Sequence, residues 1–320
     1  MSIFISIASY CDPVLAFTVA RALEAARWPE ALHFGIVDQS PAYQPRLGAA
    51  QAKPGNLSYV RLEPVYARGP CWARAIAMSL YNGEDWFFQI DSHMDFDPNW
   101  DERLIDFARA LLPGRKGVVL SSYPNAFAME DGHVVRRAST EKILAHVVRG
   151  DSSFAPDHPV LGFAAHPVES DVPLPGYHLG AGCLFAPGRF AQAFPYDPWF
   201  YFHGEEQALA ARLYTQGWDI FHVPGLPVYH LYNDSASGTP PRPLHWDDAQ
   251  DSDRSMGWRA LENRSRARLS SLLAGEDLGV YGLGTARSMR DYAAFSGIDY
   301  AARTLGPRAF EPLARLNQPA

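Results

Sequence analysis

Residues 86–95, WFFQIDSHMD, combine a buried-strand pattern with a polar ending. Four of the first five residues are apolar or aromatic, and Asp91, His93 and Asp95 then follow at alternate positions. Alternate side chains of an extended segment point to the same side, so Asp91 and His93 converge just beyond the end of the strand. The stretch therefore predicts a central strand of a sheet that ends in a group of polar side chains.

The residues before this stretch predict further strands separated by helices. Short apolar runs rich in β-branched residues lie at 3–10, 32–39 and 57–64. A helical pattern begins at Pro13, and an amphipathic helix at 69–85 leads into the central strand. This alternation favours an α/β fold with a mostly parallel central sheet flanked by helices.

The residues after the stretch continue the pattern and then become irregular. A helix is predicted at 100–114 and a strand at 117–124. The segment 125–178 is rich in Pro, His and Gly, which indicates irregular structure or a short antiparallel insertion. A helix at 204–219 carries two glutamates in its first turn. We therefore predict one α/β core over residues 1–232.

The C-terminal part of the chain differs from this core in composition. Residues 234–253 have the composition of a mobile loop, and a helical segment and a short aromatic tail follow. We therefore predict that residues 233–320 form a flexible loop and a C-terminal helical appendage packed on the core. The tail is expected to dock either on its own core or on a second copy of the chain, as a homodimer.

Composition excludes several functional classes. The 320 residues contain 28 Lys plus Arg against 35 Asp plus Glu, a net charge of −7, which argues against a nucleic-acid partner. Three scattered cysteines are too few for a disulfide framework or a cysteine-based zinc site. The start of the chain lacks a signal-peptide pattern, and no apolar run approaches the ~18–20 residues that span a bilayer. The sequence thus predicts a soluble cytoplasmic protein with no membrane partner.

Asp91 and His93 are candidate metal ligands. In open α/β sheets, ligands bind at the edge where the strands end. A carboxylate and an imidazole with further positions open suit Mn²⁺ or Mg²⁺ bound to a diphosphate, whose departure the cation would assist as a Lewis acid. A lone Asp-x-His is more often a turn cap beside a surface histidine. His230, in VYHLY, is by default a structural histidine, and becomes a third ligand only if its strand returns to the Asp91 edge.

Glu205 and Glu206 have two interpretations. Carboxylates at a helix N-terminus stabilise the helix dipole by a few tenths to about 1 kcal/mol. Alternatively, they meet the reacting sugar and the acceptor hydroxyl as a hydrogen-bond acceptor or base. Adjacent residues of a helix do not share a face, so one glutamate is expected to be catalytic and the other structural.

Two further groups are candidates for binding a nucleotide. Arg74 is either a surface residue or a planar donor that holds a diphosphate. Ser9, Tyr10 and Asp12 follow the first strand, where an aromatic ring and a carboxylate suit a nucleoside base and ribose.

Seven segments together resemble the GlcNAc-transferase family of GT-A glycosyltransferases. They are IFISIASYCDP, HFGIVDQ, GPCWARAIAMSLYNGEDWFFQIDSHMDFDPNWD, GAGCLFAPGRF, PYDPWFYFHGEEQALAARLYTQGWDIFHVP, VYHLYN and YGLGTARSMRDYAAFSGIDY. The resemblance runs from the first strand to about residue 300 and implies a GT-A nucleotide-sugar transferase fold. It also implies a UDP-sugar donor, UDP-GlcNAc above others, a divalent cation (Mn²⁺ or Mg²⁺) and transfer with retention of anomeric configuration.

The resemblance also assigns roles to individual residues. It implies metal ligands at Asp91, His93 and His230, catalytic glutamates at Glu205 and Glu206, and donor-binding residues at Ser9, Tyr10, Asp12, Arg74 and Asp91. Cys11 stands where many relatives carry Arg, which implies a different donor affinity if that Arg contacts the diphosphate. The acceptor stays open between a hydroxyproline-containing protein, a glycan and a small molecule.

Two other functions compete with glycosyl transfer. A non-catalytic module that binds a nucleotide sugar or a glycan would keep the fold, although it has no physical need for the whole ligand set. A metal-dependent phosphohydrolase would need extra carboxylates for a second metal, and only Asp95 and Asp97 are near in sequence.

Overall fold

The computed structural model describes residues 1–42, 47, 56–137, 142–234, 236–251 and 253–313. The strands in these residues are β1 (Ile3–Tyr10), β2 (Leu32–Gln39), β3 (Leu57–Arg61), β4 (Trp86–Asp91), β5 (Met94–Phe96), β6 (Val118–Leu120), β7 (Asn125–Glu130), β8 (His133–Arg136), β9 (Lys142–Val148), β10 (Phe163–Glu169), β11 (Leu174–Gly176), β12 (Cys183–Pro187), β13 (Asp219–His222), β14 (Val228–His230), β15 (Ile298–Asp299) and β16 (Thr304–Leu305). The α-helices are α1 (Leu15–Ala25), α2 (Pro70–Met78), α3 (Trp100–Leu111), α4 (Phe190–Ala193), α5 (Glu205–Thr215), α6 (Trp258–Leu273) and α7 (Met289–Ser296).

The main sheet has eight strands in the order β11-β13-β6-β12-β4-β1-β2-β3. Strand β1 pairs parallel with β2 and β4, β2 with β3, and β13 with β6. Strand β12 runs antiparallel between β4 and β6, and β11 is antiparallel to β13. Four of the seven pairings are parallel, so the predicted mostly parallel sheet is confirmed.

Strands β1 and β4 are central because both of their faces are apolar. Phe88 and Ile90 pack in one hydrophobic cluster, whereas Phe87 packs in another on the opposite side with Phe4. Burial on both faces is typical of strands in a sheet covered by helices. Because β1, β2 and β4 are parallel, their carboxyl ends meet at one edge, and Asp91 ends β4 there.

A second sheet lies beyond this edge, in the order β5-β14-β7-β8. Strand β14 is antiparallel to β5 and parallel to β7, and β8 is antiparallel to β7. Strands β9 and β10 form a separate antiparallel pair. The predicted insertion at 125–178 therefore contains antiparallel pairs, but two of its strands, β7 and β8, also belong to the sheet that carries His230.

The C-terminal helices pack on the α/β core. Leu269 and Leu272 of α6 are buried in the same hydrophobic cluster as Leu209 and Leu213 of α5. In α7, the hydroxyl of Tyr292 donates to a core backbone carbonyl at 2.8 Å. Residues 314–320 of the predicted appendage lie outside the described part of the chain. None of the described helices is both long and apolar enough to cross a membrane.

Candidate active site

Two short strands bring Asp91, His93 and His230 together. His93 lies between β4 and β5, and His230 ends β14 opposite Met94 of β5. The backbone N–H of Leu231 donates to the carbonyl of His93 at 3.0 Å. One potential ligand atom from each of the three residues lies within 4.8 Å of the other two. The strand of His230 thus returns to the Asp91 edge, as a role for His230 as third ligand requires.

The polar atoms of this triad fit a divalent cation. Nε2 of His230 lies 3.4 Å from Oδ2 of Asp91, and its Nδ1 is buried with no hydrogen-bond partner in the part of the chain that the structure describes. The two imidazole rings are 4.6 Å apart between centroids and nearly perpendicular, at 71°. One carboxylate and two imidazoles form a mixed oxygen and nitrogen set of the kind that Mn²⁺ accepts.

Asp12 supports the triad from behind. Its Oδ2 lies 2.7 Å from Nδ1 of His93 and accepts from the Ser92 hydroxyl at 2.6 Å. Its Oδ1 accepts from the backbone N–H of Val14 at 2.9 Å. Burial would raise the pKa of Asp12, but the contacts with His93 and Ser92 outweigh it and lower the pKa. A carboxylate on one ring nitrogen orients a histidine so that its other nitrogen faces a ligand.

A buried chain of charges holds Asp91. Arg74 donates from Nη2 to Oδ1 of Asp91 at 3.0 Å and from Nη1 to Oε1 of Glu205 at 2.7 Å. Burial would raise the pKa of Asp91, but the hydrogen bond from His230 and the charge of Arg74 hold it well below its usual range. Asp91 is therefore a carboxylate at neutral pH.

Glu205 is enclosed by protein groups. Its Oε2 accepts from the Cys71 thiol at 2.8 Å and from the Tyr196 hydroxyl at 2.7 Å, while Oε1 is bound to Arg74. The residue is only 5% exposed. Burial raises its pKa against the lowering effect of Arg74. Both oxygens of Glu205 are thus occupied inside the protein.

Glu206 lies in the open part of the site. Its side chain is 37% exposed, and its Oε1 accepts from the backbone N–H of Ala181 at 2.7 Å. Its Oε2 is 3.6 Å from Nε2 of His178. Gly182, the residue after Ala181, lies so close to Asp91 that a Cβ atom added to it would be 2.3 Å from Oδ2 of Asp91. In the 180–182 turn, Ala181 therefore contacts Glu206 and the adjacent Gly182 contacts Asp91.

A cluster of buried histidines, His146, His178 and His222, lies behind Glu206. The ring of His146 is 5.8 Å from that of His178 and 5.3 Å from that of His222. Both ring nitrogens of His146 and of His178 have no hydrogen-bond partner among the described residues. Burial lowers the pKa of all three, to about 4 for His222 and well below the usual value for His146. The histidine cluster is therefore neutral at pH 7.

The other predicted donor-binding residues lie at the end of β1. The hydroxyl of Tyr10 accepts from Nη2 of Arg254 at 2.6 Å. Ser9 is fully buried, and its hydroxyl has no partner within the described ranges. Cys11 adopts a positive φ of 47°, and its thiol donates to the carbonyl of Gln39 at 3.4 Å. Ser9 thus lies beneath the site surface, whereas Tyr10 is linked to the C-terminal segment.

Sequence reasoning missed Arg242 because it stands in the segment predicted as a mobile loop. Arg242 is 8% exposed and donates from Nη2 to the carbonyl of Leu231 at 2.7 Å. Its Nε lies 3.8 Å from Oδ2 of Asp12, and its Nη1 has no partner in the described part of the chain. Together with Arg254, it ties the loop to the β1 edge. Composition carries no signal for such contacts.

Comparison with known proteins places the chain in a family. Residues 49–302 match the family model described as glycosyltransferase (GlcNAc). No curated protein matches the chain. A crystal structure of GalNAc-T7 with UDP, GalNAc and Mn²⁺ aligns with 96% of the chain at 15% identity and a TM-score of 0.59. TarS residues 1–349 from S. aureus align with 69% of the chain at 15% identity and a TM-score of 0.40.

The two kinds of match support different conclusions. The chain spans 59% of the length of the GalNAc-T7 chain and 60% of that of TarS 1–349. At this identity, the likeness to GalNAc-T7 shows the fold alone, and it confirms the predicted GT-A fold. The family model covers most of the chain, including each predicted metal ligand and both glutamates. The protein therefore belongs to the GlcNAc glycosyltransferase family.

Proposed function

We propose that the protein is a metal-dependent, retaining glycosyltransferase that moves GlcNAc from UDP-GlcNAc to an acceptor hydroxyl. The observation that carries the proposal is the convergence of Asp91, His93 and His230 at the sheet edge, with Glu206 across the 180–182 turn. The family description supports GlcNAc as the sugar. The GalNAc-T7 structure, of the same fold, contains UDP and Mn²⁺.

Asp91, His93 and His230 would hold the cation, with Mn²⁺ favoured over Mg²⁺ because two of the three ligands are imidazoles. When bound, the cation would supply positive charge to the diphosphate of the leaving UDP. The protein's own contribution is to fix the ligands. Asp12 orients His93, and the chain from Glu205 through Arg74 orients Asp91.

We assign different roles to the two glutamates. Glu205 is a positioning residue, because both of its oxygens are bound by Arg74, Cys71 and Tyr196. Glu206 is the group that accepts a hydrogen bond from the acceptor hydroxyl, because its carboxylate is open to solvent. Its Oε1 is held by the backbone N–H of Ala181, while Oε2 lies 3.6 Å from Nε2 of His178. Retention places the acceptor on the face from which UDP leaves, and no covalent nucleophile is required.

We extend the proposal to the acceptor and to the nucleotide. The acceptor would be a hydroxyl of a protein or a glycan that meets Glu206 at its exposed side, since 37% of this side chain is open to solvent. Arg242 borders the triad through Asp12, and Tyr10 ends β1 at the same edge of the sheet as Asp91. They would supply a cation and an aromatic ring for the nucleotide part of the donor. Arg74, with both ends of its guanidinium engaged, acts through Asp91.

A donor panel tests this proposal. UDP release is measured from UDP-GlcNAc, UDP-GalNAc, UDP-Glc and UDP-Gal, each with and without Mn²⁺, since transferases slowly hydrolyse their own donors. We expect release from UDP-GlcNAc that requires Mn²⁺ and exceeds that from the other three. Binding of UDP-GlcNAc with Mn²⁺ but without UDP release, alone or with a mixture of glycan and peptide acceptors, would instead identify a non-catalytic binding module.

A further inference from the structure

Arg136 makes a set of contacts that the chemistry described above leaves unexplained. It stands on β8, at one edge of the β5-β14-β7-β8 sheet, while its guanidinium reaches β5 at the other edge. Nε donates to Oδ2 of Asp95 at 2.9 Å, and Nη2 donates to the carbonyl of Phe96 at 2.6 Å. Nη1 donates to Oδ1 of Asp97 at 2.7 Å. All three nitrogens of one side chain thus hold three consecutive residues.

The guanidinium also covers the strand that carries His230. Its carbon lies 4.2 Å from the ring centroid of Tyr229, the residue before His230 on β14. The Tyr229 hydroxyl donates to Oδ1 of Asp97 at 3.2 Å. We call Arg136, Asp95, Asp97 and Tyr229 the Arg136 network. It joins the strand that follows His93 to the strand that ends in His230.

Other arginines complete the charge balance of this network. Asp95 is fully buried and accepts from Nε of Arg21, on α1, at 2.8 Å. Asp97 accepts from Nη1 of Arg103 at 3.0 Å. Both carboxylates are therefore paired with two arginines each, and neither belongs to the group of metal-ligating atoms around Asp91. This pairing argues against the two-metal phosphohydrolase that the sequence left open.

The strands themselves are too short to fix the two histidines. Strands β5 and β14 have three residues each, so few ladder hydrogen bonds hold their register. A change of one residue in register turns every side chain to the opposite face of a strand. Metal ligation needs ligand positions accurate to a few tenths of an ångström. A multidentate contact across the sheet supplies this accuracy, because it can form in one register only.

We propose that Arg136 is a positioning residue, and that the Arg136 network sets His230 against His93 before a cation binds. This inference rests on the proposed metal site. It concerns the relative placement of the two ligands rather than any contact of Arg136 with substrate. The expected consequence is that loss of Arg136 weakens cation binding although every ligand is still present.

The test compares two adjacent arginines. Arg136→Met removes the network, while Arg137→Met changes an exposed residue whose guanidinium contacts Glu130 at 3.0 Å on the surface. Free Mn²⁺ is measured by electron paramagnetic resonance during titration of each protein, and near-ultraviolet circular dichroism reports the fold. We expect Mn²⁺ affinity to fall by about 10- to 100-fold in Arg136→Met, as for other groups that orient metal ligands. Arg137→Met is expected to bind as the wild type does.

Further variants keep the inference testable if Arg136→Met does not fold. Tyr229→Phe removes the hydroxyl that donates to Asp97, and Asp97→Asn removes the charge that pairs with Arg136. Each is expected to lower Mn²⁺ affinity by a few fold. Unchanged affinity in folded Arg136→Met, or in both milder variants, would overturn the inference and leave the proposed function intact. Absence of Mn²⁺ binding by the wild type would overturn the metal site, and this inference with it.

Discussion

Glu205 and Glu206 are neighbours in the chain that lie in different environments. Glu205 is 5% exposed and bound by three side chains, whereas the side chain of Glu206 is 37% exposed. The sequence predicted that only one of them is catalytic, because adjacent helical residues face different directions. It could not predict which one, since the partners of Glu205 include Cys71, 134 positions away. The proximity of the Asp91 and His93 side chains was predictable, because alternate residues of one extended segment point to the same side.

Glutamine substitutions separate the two glutamates. Glu205→Gln leaves buried Arg74 without its closest carboxylate, so we expect the free energy of unfolding to fall by about 3–5 kcal/mol in chemical denaturation. Glu206→Gln keeps the oxygen that accepts from Ala181, so its stability should change by less than about 0.5 kcal/mol. Transfer by Glu206→Gln should fall by about 10²- to 10⁴-fold. Equal losses of stability in the two variants would contradict these roles.

At the scale of elements, the alternation of strands and helices predicted the parallel half of the main sheet. It did not predict that β12 runs antiparallel beside β4, or that a second sheet carries His230. Strands of three residues, such as β5 and β14, are too short to show a periodic pattern. The loop at 234–253 has a polar composition but is held by buried Arg242, and side-chain contacts of this kind leave no trace in composition.

Gly182, just before β12, lies against Asp91 at the end of β4, so its substitution tests the metal site. A methyl group there would lie 2.3 Å from Oδ2 of Asp91, so Gly182→Ala must displace the carboxylate. We expect Mn²⁺ affinity to fall by about 10-fold or more in an electron paramagnetic resonance titration. Gly150→Ala is the matched control, because no heavy atom of the residues that the structure describes lies within 4 Å of its added methyl group. Wild-type affinity in a folded Gly182→Ala would argue against Asp91 as a ligand.

At the scale of the whole molecule, the C-terminal helices and the core share one hydrophobic cluster. Leu269 of α6 is fully buried against the α5 side of the core. We expect Leu269→Ala to lower the free energy of unfolding by about 2–5 kcal/mol in a single transition, because it opens a cavity in this shared cluster. Val280→Ala, at a residue that is 67% exposed, should change it little. A separate early transition in the Leu269→Ala curve would show that α6 unfolds independently of the core.

The histidine cluster makes stability depend on pH. Burial lowers the folded-state pKa of His146, His178 and His222 below the unfolded value of about 6.5, so acid protonates the unfolded chain first. The stability that the neutral histidines contribute to the folded chain is therefore complete above about pH 6.5. It is lost as the pH falls towards the folded-state pKa, which is about 4 for His222. A histidine that is protonated in the unfolded chain and neutral in the folded chain gives the free energy of unfolding a slope of about 1.4 kcal/mol per pH unit.

Denaturation of a single variant between pH 6.5 and 5 checks this effect. His146→Phe removes one buried titrating group, so its stability should fall less steeply with acid than that of the wild type. His166→Phe, at an exposed position, should keep the wild-type slope. A His146→Phe slope equal to that of the wild type would show that the ring takes up protons equally well in the folded and unfolded chain.

The most direct test of the proposed metal-dependent transferase compares the wild type with Asp91→Asn. The measured quantity is the initial rate of UDP release from UDP-GlcNAc at saturating Mn²⁺. Asparagine keeps the shape of the side chain and removes the charge that would bind the cation. We expect the rate to fall by about 100-fold or more with the fold intact, while Asp157→Asn, at a side chain that is 77% exposed, keeps the wild-type rate. A wild-type rate in Asp91→Asn would contradict a metal-dependent transferase built on Asp91, His93 and His230.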